Sequence, residues 1–237
     1  MYTLALLAGG LATRMAPWTH DRPKALLDVA HRPFVLHQLA YLRAQGIRHV
    51  VLCIGHLGDQ IRQVVGDGQA LGLRIDCISD GARLLGTGGA LRQALPLLGD
   101  PFYVQYGDTY LPIDYAAVAR AFTRSGKAAL MTLLENGNRW DQSNAWLDDG
   151  VLRAYRKAAA DPRMRHIDYG LSVLTREVLE TRPPDEPFDL SDLYTELTQA
   201  GRMAGHEVFE RFYEIGSPQG LRDTDAYLRA RPSQDTA

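Results

Sequence analysis

A chain of 237 residues, 46% hydrophobic and 23% charged, is long enough for one large α/β domain with a full core. Its formal charge of -2 excludes the broad basic field that nucleic acid or an acidic membrane surface would need, so any anionic ligand must be held by local charges. No apolar run reaches bilayer length, and the N-terminus lacks a basic flank and a long apolar segment, so the expected location is cytoplasmic.

In chain order, Tyr2–Leu7 is an apolar, strand-length run that stops at Gly9-Gly10. A small-residue loop follows, and then two fixed positive charges, Arg14 and Lys24. Glycines let backbone N–H groups approach a phosphate closely, and basic side chains neutralise it. Residues 33–45 carry apolar positions at helical spacing, with Pro33 in the first turn and Gly46 as the stop signal. His49–Ile54 is a buried strand, 57–65 a short helix and 73–78 a strand. The glycine-rich turn at 85–90 opens a helix that runs to about Leu98. Phe102–Tyr106 is the next strand and ends in Gly107-Asp108, and 115–123 is a helix before the strand at 128–134.

Strand and helix therefore alternate four times, which predicts a Rossmann-like, mostly parallel sheet with helices on both faces. Ligands of such sheets bind beyond the carboxyl ends of the strands. The segments 8–14, 86–89 and 107–108 all follow strands, so they are expected to converge at one end. Cys53 and Cys77 lie in apolar runs without metal-ligand spacing and read as buried, reduced thiols.

After Leu134 the texture changes. Short strands are expected at 145–147, 151–156 and 167–174, as a meander over the ligand-binding end. A helix over 189–201 has Asp189 or Ser191 as cap, strands fall near 207–210 and 212–215, and Ser217-Pro218 opens a last helix. The expected organisation is one domain over 1–230, followed by a tail at 231–237. Within that domain, residues 1–134 form a nucleotide-binding core and 135–216 a small β-rich, sugar-binding portion.

The pattern Leu7-Ala8-Gly9-Gly10-x-x-Thr13-Arg14…Arg22-Pro23-Lys24-x-Leu26 resembles the signature of sugar-1-phosphate nucleotidyltransferases. Pro17 and Thr19 also fall in place. Gly86-Thr87-Gly88-Gly89-Ala90, Gly107-Asp108, Ile167-Asp168-Tyr169-Gly170 and Glu214-Ile215-Gly216-Ser217-Pro218 are similar to later blocks of that family, in the same order. The resemblance implies attack of a sugar 1-phosphate oxygen on the α-phosphorus of a nucleoside triphosphate, with release of pyrophosphate. A phosphate nucleophile with a second pKa of about 6 is largely ionised at neutral pH, so no general base is required. Catalysis then rests on in-line positioning and charge neutralisation.

The resemblance also assigns roles. Arg14 grips the departing phosphates and Lys24 the α-phosphate, while the backbone at Leu7, Ala8, Gly9, Gly10, Ala12 and Thr13 cradles the triphosphate. Asp108 and Glu214 hold Mg²⁺. Gly86, Thr87 and Gly88 lie against the nucleobase; shortly before them, where many uridylyl- and thymidylyltransferases carry a glutamine, stands Asp80, whose carboxylate can accept from guanine's N1–H and amino group, which favours GTP. Asp108, Asn144, Lys157, Asp168 and Gly170 face the sugar phosphate, with Trp140 and Trp146 as further candidates whose ordinary reading is packing.

Two departures from the family matter most, beside those on the sugar side, where Arg156-Lys157 replaces its Glu-Lys and Asp168 stands where Asn is common. Ala12 stands where the family has a second loop glycine, and Glu214 where it has aspartate. The nearest looks are heptose- and mannose-1-phosphate guanylyltransferases, with UTP-dependent N-acetylmuramate-1-phosphate uridylyltransferases alongside. A catalytically silent nucleotide-sugar sensor is the alternative that Ala12 and Glu214 would support. A non-sugar acceptor is disfavoured by Pro-Lys-x-Leu, and a glycosyltransferase by the missing Asp-x-Asp. The expected partners are the NTP and the sugar 1-phosphate, without nucleic acid or membrane. No hexapeptide repeat follows that would form a β-helix extension, and the pattern leaves room for a homo-oligomer.

Overall fold

The computed structural model describes residues 1–10, 15–16, 18–81, 83–157 and 161–231. β1 (Leu4–Leu7) leads, after the glycine loop, to a 3-10 turn at Lys24–Leu26 and a small hairpin, β2 (Asp28–Val29) with β3 (Arg32–Pro33). Then come α1 (Phe34–Ala44), β4 (His49–Ile54), α2 (Gly58–Val65), β5 (Arg74–Ser79), α3 (Gly86–Ala94) and β6 (Phe102–Tyr106). β7 (Thr109–Tyr110), α4 (Tyr115–Ser125) and β8 (Ala129–Glu135) follow. The second part holds β9 (Ala145–Asp148), β10 (Val151–Tyr155), β11 (His166–Leu174), α5 (Glu177–Glu180), α6 (Leu190–Gln199), β12 (Met203–Val208), β13 (Tyr213–Glu214) and α7 (Pro218–Arg229). Among the described residues no helix is long and apolar enough to cross a membrane.

Local chemistry sets several of these ends. The Asp114 carboxylate accepts from the Ala116 and Ala117 N–H groups at the start of α4, and Gly126 closes that helix in the left-handed region. Asp189 caps α6 through the Ser191 N–H, and Ser217 caps α7 through the Gly220 N–H.

The central sheet runs β12-β8-β11-β6-β1-β4-β5. β1 pairs in parallel with β4 and β6, β4 with β5, and β8 with β12. β11 is antiparallel to β6 and β8, and its first residue, His166, also pairs antiparallel with β9, which joins the β9–β10 hairpin to the same sheet. The sheet is therefore mixed but mostly parallel, as the strand–helix rhythm implies.

Side chains alternate across the sheet. Leu4, Leu6, Val50 and Leu52 face a core completed by Phe34 and Leu39 of α1 and Tyr115 of α4. Ala5, Val51 and Cys53 face the opposite core with Leu91 of α3 and Leu193 of α6. Each fully buried leucine contributes roughly 1.5–3 kcal/mol.

The expected meander holds only for the β9–β10 hairpin. The segment 166–174 is instead a nine-residue strand in the middle of the main sheet. Its apolar residues run almost continuously from Tyr169 to Leu174, as a strand covered on both faces requires. Leu171 is registered with Gln105, so the first half of β11 extends past the carboxyl end of β6, the end at which sheets of this kind bind ligands. There its pairing with β8 is interrupted between Asp168 and Ser172, and Gly170 adopts φ 101°.

Candidate functional site

A cleft of about 260 Å³ opens at the carboxyl ends of β1, β4, β5 and β6. Its lining joins Leu7–Gly10, Lys24, Asp80, Gly86-Thr87 and Gly107-Asp108, with Cys53 and Leu84 among the apolar walls. The end of β1 is crowded. The Ala8 N–H donates to the Cys53 carbonyl at 2.8 Å, and the Gly107 N–H donates to the Leu7 carbonyl at 2.9 Å. A β-carbon on Gly55 would lie 2.6 Å from the Gly9 carbonyl oxygen, and one on Gly107 2.7 Å from the Leu7 oxygen. Only glycine permits these backbone approaches. At Gly10 the corresponding direction is open.

The turn after β6 carries Asp108 and is held from inside by two buried glutamines. Gln38 of α1 and Gln105 of β6 are 1% and 2% exposed. Both donate to the Thr109 carbonyl, at 2.8 and 3.0 Å, and the Thr109 hydroxyl donates to the Tyr106 carbonyl at 3.0 Å. Gln105 is fixed in turn by the Tyr115 hydroxyl, which donates to its Oε1 at 2.6 Å. From outside, β13 pairs with β7, and the Ile215 N–H donates to the Asp108 carbonyl at 3.0 Å.

Asp108 and Lys24 meet directly, with Nζ 2.7 Å from Oδ2 and side chains 19% and 29% exposed, Lys24 the less so. Lys24 owes its direction to the 3-10 turn that it begins, which is closed by the Leu27 N–H onto the Lys24 carbonyl. Glu214 arrives through the β7–β13 pair. Its Oε2 accepts from the Gly216 N–H, and its Oε1 accepts from the Ser217 hydroxyl at 2.6 Å. A β-carbon on Gly216 would stand 2.8 Å from Glu214 Oε2, 3.4 Å from Asp108 Oδ2 and 3.7 Å from Lys24 Nζ. Three charged groups far apart in sequence thus converge on one point at the rim of the cleft.

This donor set fits a magnesium ion. Both carboxylates are hard oxygen ligands, and Mg²⁺ keeps several waters and shares substrate phosphate oxygens, so two protein carboxylates suffice. Among the described residues no group of three or more His, Cys, Asp or Glu side chains forms a fuller cage.

At the end of β5, the Asp80 carboxylate accepts from the Leu85 N–H at 3.3 Å. Burial pushes its pKa above the ordinary carboxylate value, against that hydrogen bond. Gly86 and Thr87 line the cleft. Gly88 and Gly89 have a second task, since both N–H groups donate to the Phe188 carbonyl, at 3.0 and 3.4 Å. A β-carbon on Gly88 would come within 2.1 Å of the Phe188 ring. The Thr87 hydroxyl donates to Asp189 Oδ1 at 3.2 Å and accepts from the Leu190 N–H at 2.9 Å, tying the start of α3 to the start of α6.

On the other side, Asp168 lies at the interrupted part of β11. Its carboxylate accepts from the Gly170 N–H at 3.0 Å, and burial raises its pKa to about 6. Asn144 accepts from the Asp168 N–H at 2.8 Å, so its side chain is engaged by the backbone of β11. A β-carbon on Gly170 would meet Thr109 and Tyr106 at 3.3 and 3.6 Å, which places this bulge against the Asp108 turn. Lys157 is exposed and pairs with Asp189 at 2.6 Å. Trp140 packs edge-on to Phe212 with Arg211 over its ring, and Trp146 stacks under Arg163.

Arg14, Ala12, Thr13 and Pro17 lie outside the described residues. Reasoning from sequence missed Gln38, Gln105, Gly220 and the β7–β13 pair. A polar residue inside the apolar run Phe102–Tyr106 was the available signal for Gln105. Gln38, on a helix face that is otherwise apolar, offered a weaker one.

Known proteins resemble this chain, some along nearly all of it and some over about half. An N-acetylmuramate alpha-1-phosphate uridylyltransferase of Caulobacter vibrioides is 30% identical over 235 residues, covering 94% of this chain and 95% of that protein. A protein of the same description from Neisseria meningitidis is 42% identical over 113 residues, a match spanning 47% of this chain and about half, 49%, of that relative. The solved structure of HddC from Yersinia pseudotuberculosis, complexed with GMP-PN, superposes with a TM-score of 0.75 at 25% identity, covering 96% of this chain and 100% of that one. Residues 4–176 of this chain match the model of the MobA-like NTP transferase domain, and the chain belongs to that family.

Proposed function

We propose that this chain transfers a nucleoside monophosphate from an NTP to a sugar 1-phosphate, releasing pyrophosphate and forming a nucleotide sugar. The observation that carries the reading is the convergence of Lys24, Asp108 and Glu214 beside a glycine-walled cleft. Lys24 offers a fixed positive charge to the reacting phosphate, where charge grows as the new P–O bond forms. The tight backbone at Leu7–Gly10 positions the triphosphate and keeps its approach in line. Asp108 and Glu214 would hold Mg²⁺, which would supply charge neutralisation at the phosphates. Arg14 takes the departing phosphates. Gln38 and Gln105 hold the Asp108 turn in place while the site charges change.

GTP is the favoured nucleotide. Asp80 sits in the wall beside Gly86 and Thr87, and a carboxylate there accepts from the N1–H and amino donors of guanine. The GMP-PN of the HddC complex is in keeping with this. A heptose or mannose 1-phosphate is the favoured acceptor, with Asp168 and Gly170 on the sugar side and Asn144 and Lys157 supporting them. The specific observation behind a second reading, a UTP-dependent N-acetylmuramate-1-phosphate uridylyltransferase, is the Caulobacter relative aligned along nearly the whole chain.

The test is pyrophosphate release with four nucleotides against a panel of sugar 1-phosphates in the presence of Mg²⁺. Turnover is expected with GTP and a manno-configured sugar. Turnover with UTP and N-acetylmuramate 1-phosphate alone selects the second reading. Nucleotide binding without turnover for every acceptor would sink the catalytic proposal in favour of a sensor.

A further inference from the structure

The first turn of α7 contains a glycine, Gly220, that no left-handed backbone conformation requires. It is helical rather than in the left-handed region. Glycine inside a helix is destabilising relative to alanine, so its surroundings should supply the reason. They do: a β-carbon at position 220 would stand 1.7 Å from Glu214 Oε1 and 2.4 Å from its Cδ. The Glu214 carboxyl group occupies the space that any side chain at 220 would need.

We infer that Gly220 is a positioning residue for Glu214, making the seat that lets a glutamate serve at the cation site. The inference rests on the reading of Glu214 as a cation ligand. Glutamate is one methylene longer than the aspartate of the resembling signature. The longer side chain needs room for that extra methylene. Here the surplus length is folded back against α7.

Ser217 completes the seat, accepting from the Gly220 N–H at 3.0 Å and donating to Glu214 Oε1 at 2.6 Å. The Gly216 N–H then orients Oε2 toward Asp108. The backbone is pinned as well, since the Thr224 hydroxyl donates to the Glu214 carbonyl at 2.8 Å, and Tyr213 pairs with Tyr110. A β-carbon at 220 would also stand 2.7 Å from the pinned Glu214 carbonyl oxygen, so the carboxylate, the nearer and more mobile of the two, is the first to be displaced. Gly220 and Glu214 therefore form a size-matched pair.

Manganese binding, read by electron paramagnetic resonance on the full chain, tests this without reference to turnover. Gly220→Ala is expected to weaken Mn²⁺ binding at least tenfold. Because that substitution also approaches the Glu214 carbonyl, the deciding variant is Glu214→Asp/Gly220→Ala, in which the shorter acid vacates the space. It is expected to bind Mn²⁺ at least fivefold more tightly than Gly220→Ala, a coupling that general loosening of α7 would not produce. If Gly220→Ala is too unstable for titration, melting followed by circular dichroism makes the same comparison, with the double variant melting higher.

Equal or weaker binding by the double variant overturns the proposal. So does native binding by Gly220→Ala in a protein whose Glu214→Ala variant has lost it. Native Mn²⁺ binding by Glu214→Ala would instead remove the Glu214 reading itself, and the inference with it.

Discussion

Lys24 Nζ lies 2.7 Å from Asp108 Oδ2, so a residue from the first loop and one from the end of β6 share a contact across 84 positions of sequence. Both are largely withdrawn from water, which strengthens the pair relative to an exposed one. In the proposed reaction each has a further partner, Lys24 the reacting phosphate and Asp108 the cation.

Lys24→Met should therefore separate catalysis from folding. Loss of one preorganised charge at a reacting phosphate costs about 10²- to 10³-fold in kcat. Steady-state pyrophosphate release is the measurement, with circular dichroism to verify the fold. Full activity in the folded variant would exclude the role given to Lys24.

Gln105→Leu tests the clamp behind the Asp108 turn. It removes one of two donors to the Thr109 carbonyl and strands the buried Tyr115 hydroxyl. Leaving buried polar groups unpaired costs roughly 1–3 kcal/mol. The expected result is a lower urea midpoint together with about tenfold more Mg²⁺ for half-maximal rate. An unchanged Mg²⁺ requirement would assign Gln105 to stability alone.

Asp168 gives the fold a pH dependence. Burial raises its pKa from 3.8 to about 6, so between those values the folded chain binds more protons than the unfolded one. Stability then falls as pH rises through this window and levels off above it, while below pH 3.8 the group contributes nothing. Asp168→Asn removes the penalty, so it should stabilise the protein by about 1–3 kcal/mol at pH 7.5. The gain should shrink toward zero near pH 4. Thermal melts of both proteins at several pH values check this, and a gain independent of pH would contradict it.

Gly88→Ala should destabilise by about 1–3 kcal/mol through collision with the Phe188 ring. For a chain of this length each kcal/mol is worth roughly 2–4 °C in melting temperature. Gly88→Ala/Phe188→Ala should recover part of the loss, since the added methyl group then enters the space left by the ring. A double variant that melts below both single variants would show that the contact is not the cause.

Much of the fold was legible along the chain because its signals are local. The limits of β4 and β6 follow from apolar runs bounded by glycine, and Gly46, Asp189 and Ser217 mark helix ends by their own hydrogen bonding or backbone freedom. The place of 166–174 was not legible. Its burial resembles that of any inner strand, and nothing local distinguishes a neighbour on β6 from one on a separate meander. The antiparallel insertion follows from long-range pairing with β6 and β8 together.

The same division runs through the site. Sequence alone determined the chemistry available: a glycine loop, the basic residues Arg14 and Lys24, and the carboxylates Asp108 and Glu214, all in the order of a nucleotidyltransferase signature. These are properties of residue type and spacing, which need no partner to be read. Tertiary structure alone decided how they meet. The β7–β13 pair brings Glu214 beside Asp108, the 3-10 turn aims Lys24 at Asp108, two buried glutamines hold the turn, and the bare α-carbon of Gly220 makes room for the longer acid. Each of these depends on contacts between segments far apart in the chain, and such contacts exist only once the core has closed.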